Sequence, residues 1–347
     1  MEKYPNVPAS RDPTPRLDEL MQRPETPYVN TYSSEYFPGI MNPLKTRVIS
    51  KCLNIDTRFR DNMTLTNSSD FLVNLPVRLQ KVVSMQITSI EFPVAFYGIS
   101  SKYGNNYFNI SASQQLVEEG EITQESKTVI IPDGNYNASD FINTINIYLS
   151  NKNQDGSDID PNSLFNYINF RLDVTETGSG TAKVIVETTG NLNYTIKNIN
   201  IDFSLDINGN PDKTPVTSKI GMNLGFLKRK YLGQTYYISE TLVEPATIRY
   251  LYLAIDDFNN NVNNHFISAF NNSIMSPNIL ARISIKGSYF SLMMETDLNL
   301  TIEPRKYFGP VDIQKLHIQV YDDHGRILDT NNANFSCCLL FKMLYDL

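Results

Sequence analysis

The chain has 347 residues, enough for two average domains or one large elaborated one, and carries a formal net charge of −7. That acidic balance excludes a protein that coats nucleic acid, which needs a basic face against the phosphates, and no direct nucleic-acid contact is expected. Charged residues make up only 19% of the chain and Trp is absent, while Tyr (20) and Phe (18) are abundant. The polar surface must therefore come from Asn, Ser and Thr, a composition that suits strands and turns better than helices.

Residues 1–46 stand apart. Pro5, Pro8, Pro13, Pro15, Pro24, Pro27, Pro38 and Pro43 make this an extended, Pro-rich arm. It also holds Tyr28, Tyr32, Tyr36, Phe37 and Ile40, too many large apolar side chains for a plain linker. The arm either straps across its own domain or orders against a neighbouring subunit, and the second reading is preferred. Met1–Ser10 is polar and does not read as a secretory leader. No apolar run has the length of a membrane span.

The first expected strand is Arg47–Asp56. Phe71–Leu75 reads as a short strand stopped by Pro76, and Val82–Phe92 as a longer one ended by Pro93. A turn at Tyr103–Asn106 leads into a strand at Tyr107–Ile110, and Lys127–Pro132 is strand-like again. A helix follows, capped by Asn137 or Ser139, because Phe141, Ile142, Ile145, Tyr148 and Leu149 recur at helical spacing. Tyr167–Val174, Ala182–Glu187 and Asn193–Ile196 are spaced as a meander. Val216–Leu227 holds a second short helix that Ile220, Leu224 and Phe226 would pack. Strands resume at Thr247–Ile255, Phe266–Ala269, Ile279–Ile285, Leu298–Ile302 and Ile313–Val320, and the last begins near Phe335. About a dozen strands, two short helices and regular turn signals predict a mainly β sandwich or barrel.

The chain closes on its most apolar run, Phe335–Tyr345, after a turn at Asp322-Asp323-His324-Gly325. A final apolar strand needs a sheet built earlier in the chain, so the fold must be non-local and complete only when this end docks. Gly325 suits a backbone position of positive φ. Cys52, Cys337 and Cys338 are a small odd set that fits buried, reduced thiols, and the adjacent pair on one strand points to opposite faces.

Little here supports catalysis. The histidines are His265, His317 and His324, and no His or Cys pair has zinc spacing. Asp322-Asp323-His324 could hold a cation but reads better as a turn. Gly178-Ser179-Gly180 is a turn, not a nucleophile elbow, and Gly221–Gly225 lacks a phosphate-loop pattern. Asp256-Asp257 and Glu118-Glu119 are adjacent in sequence, so their side chains diverge on a strand instead of flanking one bond. Lys228-Arg229-Lys230 and Arg305-Lys306 read as solvated loops. No catalytic, cofactor or metal-binding residue is nominated, and the chain is not expected to be an enzyme. Aromatic residues at Tyr231, Tyr236, Tyr237, Tyr250, Tyr252, Tyr289, Phe290, Tyr307 and Phe308 point instead to surfaces for assembly.

Five stretches, in order, resemble the minor capsid and penton proteins of nucleocytoplasmic large DNA viruses. They are KCLNIDTRFRDN with VVSMQITSIEFPVAFYGISSKYGNNYFNI, then IPDGNYNASDFINTIN, KIGMNLGF, and IQVYDDHGRILDTNNANFSCCLLFKML. In the last, Asp322, Gly325, Arg326, Leu328, Asp329, Phe335 and Ser336 fill the places of the family pattern. The resemblance spans residue 47 to the end and omits the arm. It implies a jelly-roll β-sandwich over 47–347 with an elaborated insertion at about 132–244. It also implies a non-enzymatic virion role, as penton at a five-fold vertex or as a minor capsid cement protein, assembled in the host cytoplasm. The partners implied are the major capsid protein, neighbouring minor capsid proteins and, for a penton, copies of itself in a homopentamer. In such a fold the last strand lies beside the first, which would place Cys52 near Cys337 or Cys338, buried and reduced. The alternative is a β-sandwich module that binds carbohydrate or a receptor through surface tyrosines.

Overall fold

The computed structural model describes residues 48–116, 122–150, 160, 162–176, 178–189, 194–245, 248–259, 266–267 and 278–345. The arm, Glu118-Glu119 and His265 lie outside the described residues. In chain order the elements are β1 (Val48–Asp56), β2 (Asp70–Pro93), β3 (Tyr107–Leu116), β4 (Ile122–Ile130), α1 (Ala138–Ser150), β5 (Ile168–Leu172), β6 (Lys183–Thr188) and β7 (Tyr194–Asp202). There follow α2 (Ile220–Asn223), β8 (Lys230–Gln234), β9 (Tyr236–Leu242), β10 (Tyr250–Asp256), β11 (Ile279–Ser284), β12 (Leu292–Glu295), α3 (Leu298–Thr301), β13 (Arg305–Tyr321) and β14 (Ser336–Leu344). The protein is mainly β, as expected, and the described strands all pair antiparallel.

The strands form three sheets. A seven-stranded sheet runs β1-β14-β2-β13-β10-β11, with β12 beside one end of β2. The two smaller sheets run β4-β3-β7-β8 and β5-β6-β9. Each system has its own core. The large sheet buries Met85, Ile87, Phe92, Leu316, Leu339 and Phe341, drawing on both ends of the chain. The smaller sheets and α1 enclose Phe108, Phe141, Phe170, Val184, Ile199 and Phe203. This second core begins at Ile99, and the stretch 132–244 lies within the segment that builds it.

The first and last strands do pair. β1 lies against β14 in unbroken register from Val48↔Leu344 to Asp56↔Ser336. Cys337 is buried and Cys338 half-buried, on opposite faces of β14. Cys52 departs from expectation, because it is exposed. The reason is topological: β1 is the outermost strand, so only its β14 side is covered. Cys52 still adjoins Cys338, both thiols are free, and partial desolvation, with the neighbouring Cys338 second, raises the Cys52 pKa.

Helix α1 matches its pattern. Asn137 caps it, accepting the Asp140 N–H at 2.8 Å, and Phe141, Ile142, Ile145 and Leu149 are buried. Four other expectations need correction. Phe71–Leu75 and Val82–Phe92 are one continuous strand through Pro76. Register between β2 and β13 shifts between Asn74 and Leu79, so the missing proline N–H removes no ladder bond. The strand bends at Lys81 (φ 53), whose N–H is taken by Asp312 at 2.9 Å. The meander does not form: β7 joins β3 and β8, and β9 takes the place beside β6. Leu298–Thr301 is a helical turn, not a strand, because Asp297 (φ 59) reverses the chain after β12. The second helix covers only Ile220–Asn223, although Ile220, Leu224 and Phe226 are buried as foreseen.

Candidate functional site: the closing corner and the exposed surface

The Asp322–Gly325 turn positions the last strand. Asp322 is completely buried. Its carboxylate accepts the His324 N–H at 3.0 Å, the Arg326 N–H at 2.8 Å and Arg326 Nε at 2.8 Å. Gly325 takes φ 78 and donates its N–H to the Asp322 carbonyl at 3.0 Å, a left-handed position that favours glycine. The Arg326 guanidinium lies 4.2 Å from the centroid of the Tyr103 ring. The Tyr103 hydroxyl accepts the Asp329 N–H at 2.8 Å, and burial pushes its pKa up to about 12. Lys102 pairs with Asp329 at 2.7 Å.

The polar step after this turn is locked as tightly. The Leu328 carbonyl accepts Ser69 Oγ at 2.5 Å, and the Ser68 and Thr330 hydroxyls are 2.6 Å apart. Thr57 meets Phe335 three times: its N–H donates to the Phe335 carbonyl at 2.9 Å, its hydroxyl accepts the Phe335 N–H at 2.8 Å, and that hydroxyl also lies 3.0 Å from the carbonyl. Arg60 donates to Asn334 Oδ1 at 2.5 Å. The Phe335 ring packs 5.1 Å from Phe92 and 6.3 Å from Phe71.

The remaining family-like stretches are junctions too. Asp133 accepts the Ser101 N–H at 2.7 Å and its hydroxyl at 2.8 Å. Asn135 takes the Gly98 N–H at 2.7 Å and donates to the Phe96 carbonyl at 3.0 Å. In KIGMNLGF, a Cβ on Gly221 would sit 2.8 Å from the Phe203 ring, and one on Gly225 (φ +85) 2.2 Å from the Thr241 carbonyl. The sequence separates these stretches by up to hundreds of residues; the fold joins Thr57 to Phe335 and Tyr103 to Arg326.

No family model matches the chain, and no curated protein matches it. Two solved structures are similar in trace. The mavirus penton protein aligns at TM-score 0.43 and 11% identity, over 86% of this chain and 100% of that one. A chain of the Sputnik virophage structure aligns at TM-score 0.38 and 14% identity, over 86% of this chain and 98% of that one.

The candidates for chemistry are dispersed or occupied. Asp323 points away from Asp322 into a cleft of about 330 Å³ that Asn223, Glu244, Arg249, Tyr250 and His324 also line. Its Oδ2 accepts the Arg249 N–H at 3.1 Å, His324 Nε2 is 3.9 Å from Oδ1, and burial raises its pKa. Arg249 and Glu244 neutralise each other at 2.6 Å. Among the described residues no three His, Cys, Asp or Glu side chains are grouped to hold a metal, and no helix is long and apolar enough to cross a membrane. His317 pairs with Asp70 at 2.6 Å. The Gly178–Gly180 turn wraps Asp173, which accepts the Ser179 and Thr181 N–H groups at 2.7 and 3.1 Å. Asp256 caps the Phe258 N–H at 2.8 Å, while Asp257 turns inward.

Basic runs are likewise engaged. Lys228 pairs with Glu240 at 3.6 Å and Lys230 with Asp202 at 2.9 Å, while Arg229 donates to the Asp212 and Thr214 carbonyls at 2.9 and 3.0 Å. Arg305 is buried and faces Asp257 at 3.7 Å, and the Tyr307 hydroxyl donates to the same carboxylate. A second buried cation, Lys219, bonds to Asp212 and lies 5.1 Å from the Tyr107 centroid; Asp212 is held down at about 2 by Lys219. Sequence reasoning missed both networks, because neither pairing leaves a local spacing signal.

The aromatic set divides. Tyr231, Tyr237, Tyr252 and Tyr307 belong to the cores. Tyr236, Phe290 and Phe308 are exposed. Leu292 and Met294 are exposed on one face of β12, with Met293 between them buried, and Phe290 is exposed in the turn just before the strand. Val48 and Ile49 are exposed on opposite faces of β1.

Proposed function

We propose that this chain is a structural component of the icosahedral capsid of a large double-stranded DNA virus, either the penton at a five-fold vertex or a minor capsid cement protein. The observation that carries the reading is the convergence of the family-like stretches. The residues Asp322, Gly325, Arg326, Asp329 and Phe335, with Thr57, Arg60 and Tyr103, form one closing corner. A motif set that serves shape, not chemistry, is what a packing protein needs. Exposed apolar side chains on β1 and β12 supply surface for neighbours. The partners would be the major capsid protein, adjacent minor capsid proteins and, for a penton, four further copies of this chain. The protein would reside in the virion after assembly in the host cytoplasm.

The carbohydrate-binding alternative finds less support, because most of its candidate stacking tyrosines are buried and Arg282 covers a face of Tyr250 at 3.8 Å. The test is quantitative mass spectrometry of purified particles together with the solution mass of the isolated chain. Presence at five copies per vertex and a stable pentamer support the penton; presence with a monomer or dimer in solution supports the cement role. Absence from particles refutes the proposal.

A further inference from the structure

Strand edges are templates for pairing, and folded proteins usually blunt them by shortness, charge, bulges or cover. Here nearly every terminal strand among the described residues is blunted. β4 carries Glu125 and Lys127, which reach over to the Leu164 N–H at 2.8 Å and to the Tyr148 and Leu149 carbonyls at 2.7 and 2.9 Å. At β5, α1 applies the Asn146 amide to Phe170, donating to its carbonyl at 2.7 Å and accepting its N–H at 2.9 Å. β8 is five residues long and pairs with a register shift; β9 also pairs with a shift. β11 has six residues and a bulged partner, and β12 has four.

β1 is the exception. It runs nine residues in continuous register, without proline or bulge and with one lysine, Lys51, before its terminal Asp56. Val48 to Cys52 are exposed on both faces, and the side away from β14 has no strand beside it among the described residues.

We propose that β1 is an acceptor edge that the Tyr28–Phe37 segment of a second copy of this chain completes as an added strand. Chain length and composition commit the occupant. Forty-seven residues precede Val48. Within them Tyr28–Phe37 is a ten-residue stretch free of proline, bracketed by Pro27 and Pro38 and rich in Tyr, Val, Thr and Phe. Its length matches the nine residues of β1, and its side chains favour a strand. The link from Pro38 to Arg47 spans up to about 33 Å when extended, and Pro38 and Pro43 favour extended backbone. A link of that reach is long enough to place the segment on an adjoining subunit. Main-chain bonds would supply affinity, and Tyr32, Tyr36 and Phe37 would cover Val48 and Ile49. A head-to-tail exchange of this kind closes into a ring when its rotation allows. The inference rests on the assembly reading only in taking a second copy as the occupant.

Native Cys52 provides the probe. A donor chain carries Ser34→Cys and Cys52→Ser; an acceptor chain keeps Cys52; both carry Cys338→Ser. The two full-length chains are mixed and oxidised with glutathione disulfide. The expected product is a donor–acceptor dimer joined through position 34, well above that from a Thr14→Cys donor. A chain carrying both cysteines that closes only on itself, or no cross-link specific to position 34, overturns the proposal. Hydrogen exchange gives a second reading: the outward amides of β1 should lose protection when 1–46 is deleted, and unchanged protection also overturns it. Both readouts use purified protein. Trans cross-linking in a chain that never enters particles would refute the capsid role and leave this inference standing.

Discussion

Removing the Asp257 carboxylate should be among the most damaging single changes in the first core. The Asp257 and Arg305 side chains are 5% and 4% exposed, with Nη1 to Oδ2 at 3.7 Å. Arg305 donates to the Ile255 carbonyl at 2.7 Å and the Asn278 carbonyl at 2.6 Å, and the Tyr307 hydroxyl donates to Asp257. Asp257→Ala leaves the guanidinium buried without its counter-charge, a change that costs about 3–5 kcal/mol. The two carbonyl bonds survive, so the cost should fall near the lower end, about 3 kcal/mol. Tyr307→Phe removes one bond to a charged acceptor and should cost about 1.5–3 kcal/mol. The decisive variant is Asp257→Ala with Arg305→Met, which removes both charges and should be more stable than Asp257→Ala alone. Urea unfolding followed by tyrosine fluorescence measures all three, since the chain has 20 Tyr and no Trp. A loss below about 1 kcal/mol for Asp257→Ala would refute the reasoning, as would a double variant no more stable than Asp257→Ala alone.

Gly325→Val forces a β-branched residue into φ 78 at the closing corner, and a thermal melt should show a loss of about 1–3 kcal/mol; an unchanged melt rejects that corner's role. Gly221→Ala drives a Cβ to 2.8 Å from the Phe203 ring and should cost about 1–3 kcal/mol by chemical denaturation, where Gly309→Ala, which meets no neighbour within 4 Å and needs no positive φ, lacks any such clash. Burial raises the Asp323 pKa, so the folded state holds its proton above the pH at which the unfolded chain releases it. The group therefore costs no stability below its unfolded pKa of about 4, and the penalty grows as pH rises through the folded value. Asp323→Asn should raise the melting temperature at pH 7 relative to the parent and lose that advantage at pH 4; an equal difference at both would contradict the assignment.

The elements that were legible are those whose signal is local or absolute. Helix α1 announced itself by period and by Asn137; the apolar terminal strand signalled only that it needed a sheet built earlier, and it was the family resemblance that implied β1 as its neighbour. What failed depended on partners distant in sequence. Pro76 stops an isolated strand but not one whose register against β13 slips at that point. β5, β6 and β7 look alike in sequence, yet β7 pairs with β3 and β8 while β9, more than thirty residues further on, takes the place beside β6. Cys52 was expected in the interior because its neighbour strand was identified, while the absence of a further neighbour had no sequence signal. The DDHG corner was correctly read as a turn, but its partner Tyr103 lies 226 positions from Asp329 and could not be named.

The scarcity of charge acquires a structural meaning from the junctions. Where an edge or corner must close, the chain repeatedly uses an amide or hydroxyl: Asn146 on Phe170, Asn135 between Gly98 and Phe96, Asn105 on Gly98, Asn106 on Ile131, Thr57 on Phe335. An Asn side chain imitates the peptide group and satisfies a donor and an acceptor together. It does so without the desolvation cost of a buried ion. Asn-rich composition thus does in this fold what ladder bonds do elsewhere, sealing backbone that no strand covers. Among the described residues the long β1 edge has no such side-chain seal. A protein that blunts its other described margins with charge, shortness, register shifts or its own amides, and leaves the nine-residue β1 edge without such a device among the described residues, has reserved that margin for another chain segment.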